Sequence, residues 1–415
     1  MSNGMMFKEY LKEATANLHL GHLEDLVFDL GVNGTRTAIF FMRDVYDMLS
    51  GGSGNQSNKL TVKFDGAPAV FVGINPENGR FFVAKKGLFN ANPKLYYSHA
   101  DIDADTTGDL AHKLKVAFTE CSKLGIKSGI YQGDIMYTSN TLDTKTIDGQ
   151  KCVTFHPNTI MYAVPIDTAL GARIKRSNIG IVWHTEYSGK TINTLSASFG
   201  NAIASKFRKT NTSWMEDATY TDVSGAATFT ATEAAEFKQR LSSIGVLFRN
   251  TPAATLNAIH RDPDLLQLVH VYNNTKVREG KTITDAGVHT QGLYDFIFNR
   301  FQKDMDTKKT EKGRMGVDAK RTKILNFFAS HPKSDIVKLF ELTKQIAEAK
   351  IILVRKLNKA SSLGTFLKTQ NGLKVTSQEG FVAIRGEDAV KLVDRLEFSI
   401  ANFSPEILKG FKSPR

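Results

Sequence analysis

Only two cysteines, Cys121 and Cys152, occur among the 415 residues. Two thiols build neither a disulfide framework nor a cysteine-based zinc site, and such scarcity fits a reducing compartment. No apolar run is long enough to span a bilayer. The opening MSNGMMFKEYLKEA lacks the basic-then-apolar layout of a secretory signal, so the expected location is the cytoplasm, or the host cytoplasm for a viral protein. Internal repeats and low-complexity tracts are absent too. Acidic residues are the minority: 42 against 54 lysines and arginines give a net charge of +12. That imbalance points to a polyanionic partner, because lysine and arginine neutralise phosphates whatever the sequence.

What is present is the composition of a globular protein, 41% hydrophobic and 23% charged. Residues 1–55 read as a helical segment, with apolar positions at helical spacing from Arg36 to Leu49 and a Ser50–Gly54 break after it. From Leu60 the period becomes that of strands. LTVKF, AVFVGI and RFFVAK are short β-branched and aromatic runs, the last two parted by the turn signal Pro76-Glu77-Asn78-Gly79. Further strands are expected at 129–137, 159–164 and 179–184, and helical spacing returns between about 230 and 360. The expected fold class is α+β. A core of antiparallel sheets over 56–198 is interrupted by a mainly helical insertion over 199–370 and closed by strands over 371–415.

The sharpest chemical signal is Lys63-Phe64-Asp65-Gly66, at the end of a β-rich run. A lysine amine that loses its proton can attack a nucleotide α-phosphate, and Gly66 permits a tight turn with room for the nucleotide. Lys86, in Ala84-Lys85-Lys86-Gly87, adds a cation for phosphates. Gly133-Asp134 places a carboxylate on a predicted strand, and Ile179–Trp183 holds an aromatic able to stack on a purine. Glu379-Gly380-Phe381-Val382 and Lys391 follow near the end.

This order and spacing resembles the covalent nucleotidyltransferase superfamily of ATP-dependent RNA and DNA ligases and mRNA-capping enzymes. The likeness covers about 60–190 and 374–398. The resemblance implies that Lys63 becomes nucleotidylated by ATP while Asp65 orients the lysine or the adenylate. It further implies that Asp134 binds the ribose, Trp183 stacks on the base, and Lys86 and Lys391 hold phosphate. Glu379, with Asp134, would bind Mg2+ or Mn2+. Asp134 and Val393 stand where the family has glutamate and a second lysine, and Ala67-Pro68-Ala69 follows the first motif where a polar group is common. Only about 24 residues follow Lys391, too few for an OB domain, so the likeness is closest to phage-type RNA ligases. The implied activity is ATP-dependent joining of 5′-phosphate and 3′-hydroxyl ends, of RNA in preference to DNA, with no membrane partner and the oligomeric state left open. Two other readings stand beside it: a nucleic-acid-binding relative without joining activity, and a nucleotidyltransferase with a different acceptor.

Three lesser features carry weaker signals. His19, His22 and Asp25 read as a surface or capping cluster before a metal site. The run from Lys303 to Lys323 reads equally as a phosphate-tracking surface and a solvated loop. Phe398 and Phe403 are expected in the core.

Overall fold

A computed structural model describes residues 20–50, 58–220, 227–360, 363–370, 372–385 and 388–410. His19 and Gly51–Gly54 lie outside the described residues. After short helical turns at Leu23–Asp25 and Leu26–Asp29 comes helix α1 (Gly31–Leu49), followed by β1 (Asn58–Lys63), β2 (Ala69–Ile74) and β3 (Phe81–Ala84). The turn at Pro76–Gly79 joins β2 to β3 as expected, with Gly79 at a φ of +71°. Helices α2 (His99–Asp105) and α3 (Gly108–Cys121) precede β4 (Ile130–Thr138), β5 (Asp143–Ile147), β6 (Gln150–Phe155) and β7 (Ile160–Pro165). Then come α4 (Ala169–Arg176), β8 (Ile179–Ser188), β9 (Ser196–Phe199) and β10 (Ser213–Asp217). The helical region holds α5 (Ala231–Arg249), α6 (Pro263–Arg278), α7 (Ala286–Thr307), α8 (Glu311–Ser330) and α9 (Lys333–Leu357). The chain returns to strands in β11 (Gly364–Thr369), β12 (Gly372–Val375), β13 (Gly380–Arg385) and β14 (Asp388–Leu392), before α10 (Arg395–Phe403). The fold is α+β.

Three sheets organise these strands. The central one has the order β10-β8-β4-β2-β3, with β9 beside β8. All its neighbours are antiparallel except β10, which runs parallel to β8. The second sheet has the order β12-β11-β7-β6-β5, and the third is β1-β13-β14. One face of the central sheet buries Val70, Ile135, Ile181 and Trp183 with Leu114 and Ala117 of α3. On the other face, Met136, Tyr137, Val182 and Trp214 pack against Phe155, Tyr162 and Val164 of the second sheet.

The small third sheet divides its residues by strand alternation. Phe381 and Ala383 of β13, with Val390 and Leu392 of β14, enter the core formed with the helices. Val382, Ile384 and Lys391 point the other way, into a cavity shared with the central sheet. α1 belongs to that same helical core with α5–α9, so the N-terminal helix and the insertion form one body. The helical stretch is also narrower than 199–370. β10 belongs to the central sheet and β11 pairs with β7, so the expected insertion takes in sheet strands at both of its ends. Among the described residues no helix is long and apolar enough to cross a membrane.

Candidate active site

A cavity of about 300 Å³ lies between the central and third sheets. That is at the lower end of the roughly 300–1,000 Å³ range of small-molecule sites. Strand pairing assembles it from distant segments. Lys63, the last residue of β1, lies opposite Gly380 of β13, and Val382 lies opposite Lys391 of β14. Lys63 Nζ meets Glu379 Oε1 at 2.5 Å, joining residues more than 300 positions apart. The E-G-F-V glycine has a steric reason. Gly380 has a φ of +153°, and a Cβ there would lie 2.5 Å from Val393 Cγ2 and 2.8 Å from the Leu392 carbonyl.

Four of the residues singled out from sequence line the cavity: Lys63, Lys86, Asp134 and Lys391. Lys86 opens a single 3₁₀ turn, Lys86–Phe89, which also brings in Phe89. Phe89 meets Phe71 edge-on at 5.2 Å and Tyr187 at 5.3 Å, forming an aromatic wall. Asp134 is flanked by Ala69 of β2 and Val182 of β8. Lys391 is fixed at its backbone, whose N–H donates to the Gly21 carbonyl at 3.0 Å. Leu20, from the same N-terminal segment, also borders the cavity.

The other four take different places. Trp183 does not face the cavity. It is fully buried on the opposite face of the central sheet, edge-on to Phe207 at 5.2 Å, so the expected purine-stacking role is corrected to a core role. Asp65 is likewise turned away. Its carboxylate accepts from Asn158 Nδ2 and from the Thr159 and Ile160 amides at 2.8, 2.7 and 2.7 Å, while its own N–H donates to Tyr162 Oη. The expected contact with the adenylate becomes an anchor that ties the end of β1 to the start of β7. Gly66 lines no part of the cavity either; a Cβ there would fall 2.5 Å from Asp134 Cβ, so the glycine lets β4 approach and seats Asp134. Glu379 sits behind Lys63, bordering a much smaller recess with Asp65.

The electrostatics follow from this packing. Burial acts to lower the Lys63 pKa, but the Glu379, Asp134 and Asp65 carboxylates outweigh it and hold the amine above the usual lysine value. Lys63 keeps 31% of its side chain exposed, against 9% for Glu379. For Glu379 burial prevails over the attraction of Lys63 and pushes the carboxyl up to about 7. Lys391 is lowered, first by burial and then by the Lys63 charge.

Several cavity residues carried no sequence signal that we read. His184 and Thr185 are consecutive yet both line the cavity, because a β-bulge pairs Trp183 with Gly133 and Thr185 with Gln132, leaving His184 unpaired between them. His184 Nε2 stands 3.7 Å from Asp134 Oδ2, and Gln132 Oε1 accepts from Tyr187 Oη at 2.7 Å. Strand alternation does carry part of the signal, since Val182 facing the cavity excludes Trp183 from it.

Among the described residues no group of three or more histidine, cysteine or carboxylate side chains is arranged to hold a metal. His22 is kept neutral, lowered to about 4 chiefly by burial, and Asp25 binds Arg395 Nη1 at 2.7 Å. Asp25 is buried and His22 makes no capping hydrogen bond, so the expected surface or capping cluster is corrected to a buried one. Phe403 departs from its expected core position: it is exposed, with the Arg278 guanidinium 5.0 Å from its ring centre.

Comparison with curated proteins and with solved structures finds no match. A model of a family of unknown function, DUF6267, matches residues 17–407, and the chain belongs to that family.

Proposed function

We propose that the chain is an ATP-dependent polynucleotide ligase, acting on RNA in preference to DNA through a lysyl-AMP intermediate. The observation that carries this reading is that Lys63 and Lys391 line one cavity while Glu379 pairs with Lys63 from behind it, the segments lying more than 300 residues apart. Lys63 and Glu379 belong to the two motifs on which the resemblance to covalent nucleotidyltransferases rests most, and Lys391 to its last.

The reaction follows from the groups present. ATP enters the cavity with its base toward Phe71, Phe89 and Tyr187 and its phosphates toward Lys86 and Lys391. The Lys63 amine, once deprotonated, attacks the α-phosphorus; an N–P bond forms and pyrophosphate leaves. A 5′-phosphate oxygen then attacks the same phosphorus, the N–P bond breaks, and the strand end carries AMP. Finally a 3′-hydroxyl displaces AMP and seals the strand. Lys86 and Lys391 offset the charge that develops on the phosphate oxygens. The Lys63–Glu379 pair must open first, because a protonated amine has no lone pair to offer.

Glu379 and Asp134 are hard oxygen donors of the kind Mg2+ or Mn2+ takes. The raised Glu379 pKa marks a buried carboxylate short of positive charge, which is the chemistry a divalent ion fits. Bound there, the ion would supply positive charge beside the phosphates.

The test is transfer of label from ATP labelled at the α-phosphate, read on a denaturing gel with Mg2+ or Mn2+. Wild type is expected to give a labelled band and Lys63→Ala none. An unlabelled wild type overturns the proposal. A second reading, a nucleic-acid-binding relative without chemistry, is favoured by the raised Lys63 pKa, which keeps the amine charged at neutral pH. It predicts strand binding that Lys63→Ala leaves unchanged, with no label in either protein.

A further inference from the structure

The segment between Lys303 and Lys323 is not a loop. It is the turn and flanking helix of a hairpin in which α7 runs to Thr307 and α8 starts at Glu311. α8 buries a single residue, Ile324, in its C-terminal half. Val317, Phe327 and Phe328 pack partly on the helical core, so the first turns of α8, before Val317, are the part with least apolar support. Gly316, inside the helix, weakens it by about 1 kcal/mol relative to alanine. A Cβ at Gly316 would meet nothing within 4 Å, so no crowding inside the molecule calls for glycine there.

Charge is concentrated on the same hairpin. Between Arg300 and Lys323 nine lysines and arginines face four carboxylates, a net +5 in 24 residues of a chain whose total is +12. Lys320 and Lys323 are taken up by Asp262 and Asp264 at the start of α6, which roots the hairpin on the helical body. Toward the tip, Lys303, Lys308, Lys309 and Lys312 are exposed, and among the described residues none has a carboxylate within 4.0 Å. Arg314 is exposed as well, its Nε donating to the Lys308 carbonyl at 3.1 Å.

We propose that the tip of the α7–α8 hairpin is a sequence-independent docking surface for the phosphate backbone of the polynucleotide that the candidate active site would act on. The choice of strand rests on the ligase reading; the charge argument does not. Clustered cations without partners repel one another, and a phosphate chain removes that repulsion while releasing its own counterions. The 20 residues of α8 extend about 30 Å, the length of roughly nine base-pair steps. Contacts made by lysine and arginine to phosphate position a strand without reading its sequence.

The test compares wild type with a variant carrying Lys308→Glu, Lys309→Glu, Lys312→Glu and Arg314→Glu. Binding to a 5′-phosphorylated strand of about 30 nucleotides, as RNA and as DNA, is followed by fluorescence anisotropy from about 50 to 200 mM salt. The variant is expected to bind both at least tenfold more weakly, with a log–log salt slope shallower by about 3. Its labelling by ATP at Lys63 should equal that of wild type. Should charge reversal unfold the helix, Lys308→Gln with Lys309→Gln is expected to flatten the slope by about 1.5. Strand binding that ignores both variants overturns the inference, as does a wild type that binds no strand. Strand binding through the hairpin without ATP labelling overturns the ligase reading and leaves the hairpin standing; labelling with hairpin-independent binding does the opposite.

Discussion

Two lysine–glutamate pairs, one in each half of the molecule, separate structure from function. In the helical half, Lys350 Nζ of α9 reaches both Glu24 oxygens at 2.7 Å, with side chains only 1% and 4% exposed. Arg395 Nη1 adds a second cation at 3.6 Å from Glu24. Burial raises the Glu24 pKa, but these cations overcome it and hold the carboxyl at about 2. At the candidate site, Lys63 meets Glu379 at 2.5 Å, opens 31% of its side chain to a cavity, and is shared with Asp134 and Asp65. There burial wins and Glu379 rises to about 7. A carboxylate saturated by two cations has nothing left to exchange. One that shares a single cation with two other acids can release it when phosphate or a metal arrives. The degree of charge saturation, more than burial itself, distinguishes the structural pair from the functional one.

The largest expected effect breaks the sealed pair. Lys350→Ala should lower unfolding stability by about 3–5 kcal/mol, because Glu24 is left charged and buried. Lys63→Ala should cost only about 1–2 kcal/mol, since Glu379 can take up a proton near neutral pH. Urea unfolding of both variants checks this, and Glu24→Gln with Lys350→Met should recover most of the loss. Equal costs for the two alanine variants would remove the distinction.

The same contrast explains what was legible in the sequence. K-x-D-G, E-G-x-V and Lys391 could be read because each lies on or beside one strand, where pairing register alone sets its neighbours. The glycines at 66 and 380 are readable for the same local reason, close backbone approach. For Asp65 the contact with the adenylate misled, because its partners, Asn158, Thr159 and Ile160, lie more than 90 residues away and leave no trace beside it, while its charge still acts on Lys63. Trp183 misled because an aromatic inside a strand suits a core as well as a binding wall. The bulge that turns His184 and Thr185 into the cavity depends on how β4 and β8 pair, and no local pattern announces it. In the helical half, a loop reads as well as a phosphate-tracking surface between Lys303 and Lys323, because only Ile324 of α8 is fully buried and no apolar period marks the helix.

A smaller effect, opposite in sign at the two ends of the molecule, sharpens the comparison further. His289 of α7 is buried between Tyr272 and Phe340, with Nε2 2.9 Å from Asn273 Oδ1, and burial lowers its pKa from 6.5 to about 4. The fold therefore favours the neutral ring. Its stabilising contribution is whole above pH 6.5 and is lost as pH falls from there toward about 4. Glu379 runs the other way, because its pKa is raised from 4.5 to about 7. Its contribution is whole below pH 4.5 and is lost as pH rises toward about 7. Between these limits each group tilts the stability curve by about 1 kcal/mol per pH unit, in opposite directions. Urea midpoints measured between about pH 4.5 and 6.5 should therefore separate two variants. His289→Gln should lose less stability than wild type on acidification, and Glu379→Gln should lose more, because the protonation that offsets the loss is gone. Slopes that change in the same sense for both variants would mean that Glu379 is as saturated as Glu24, and that the open pair is not open.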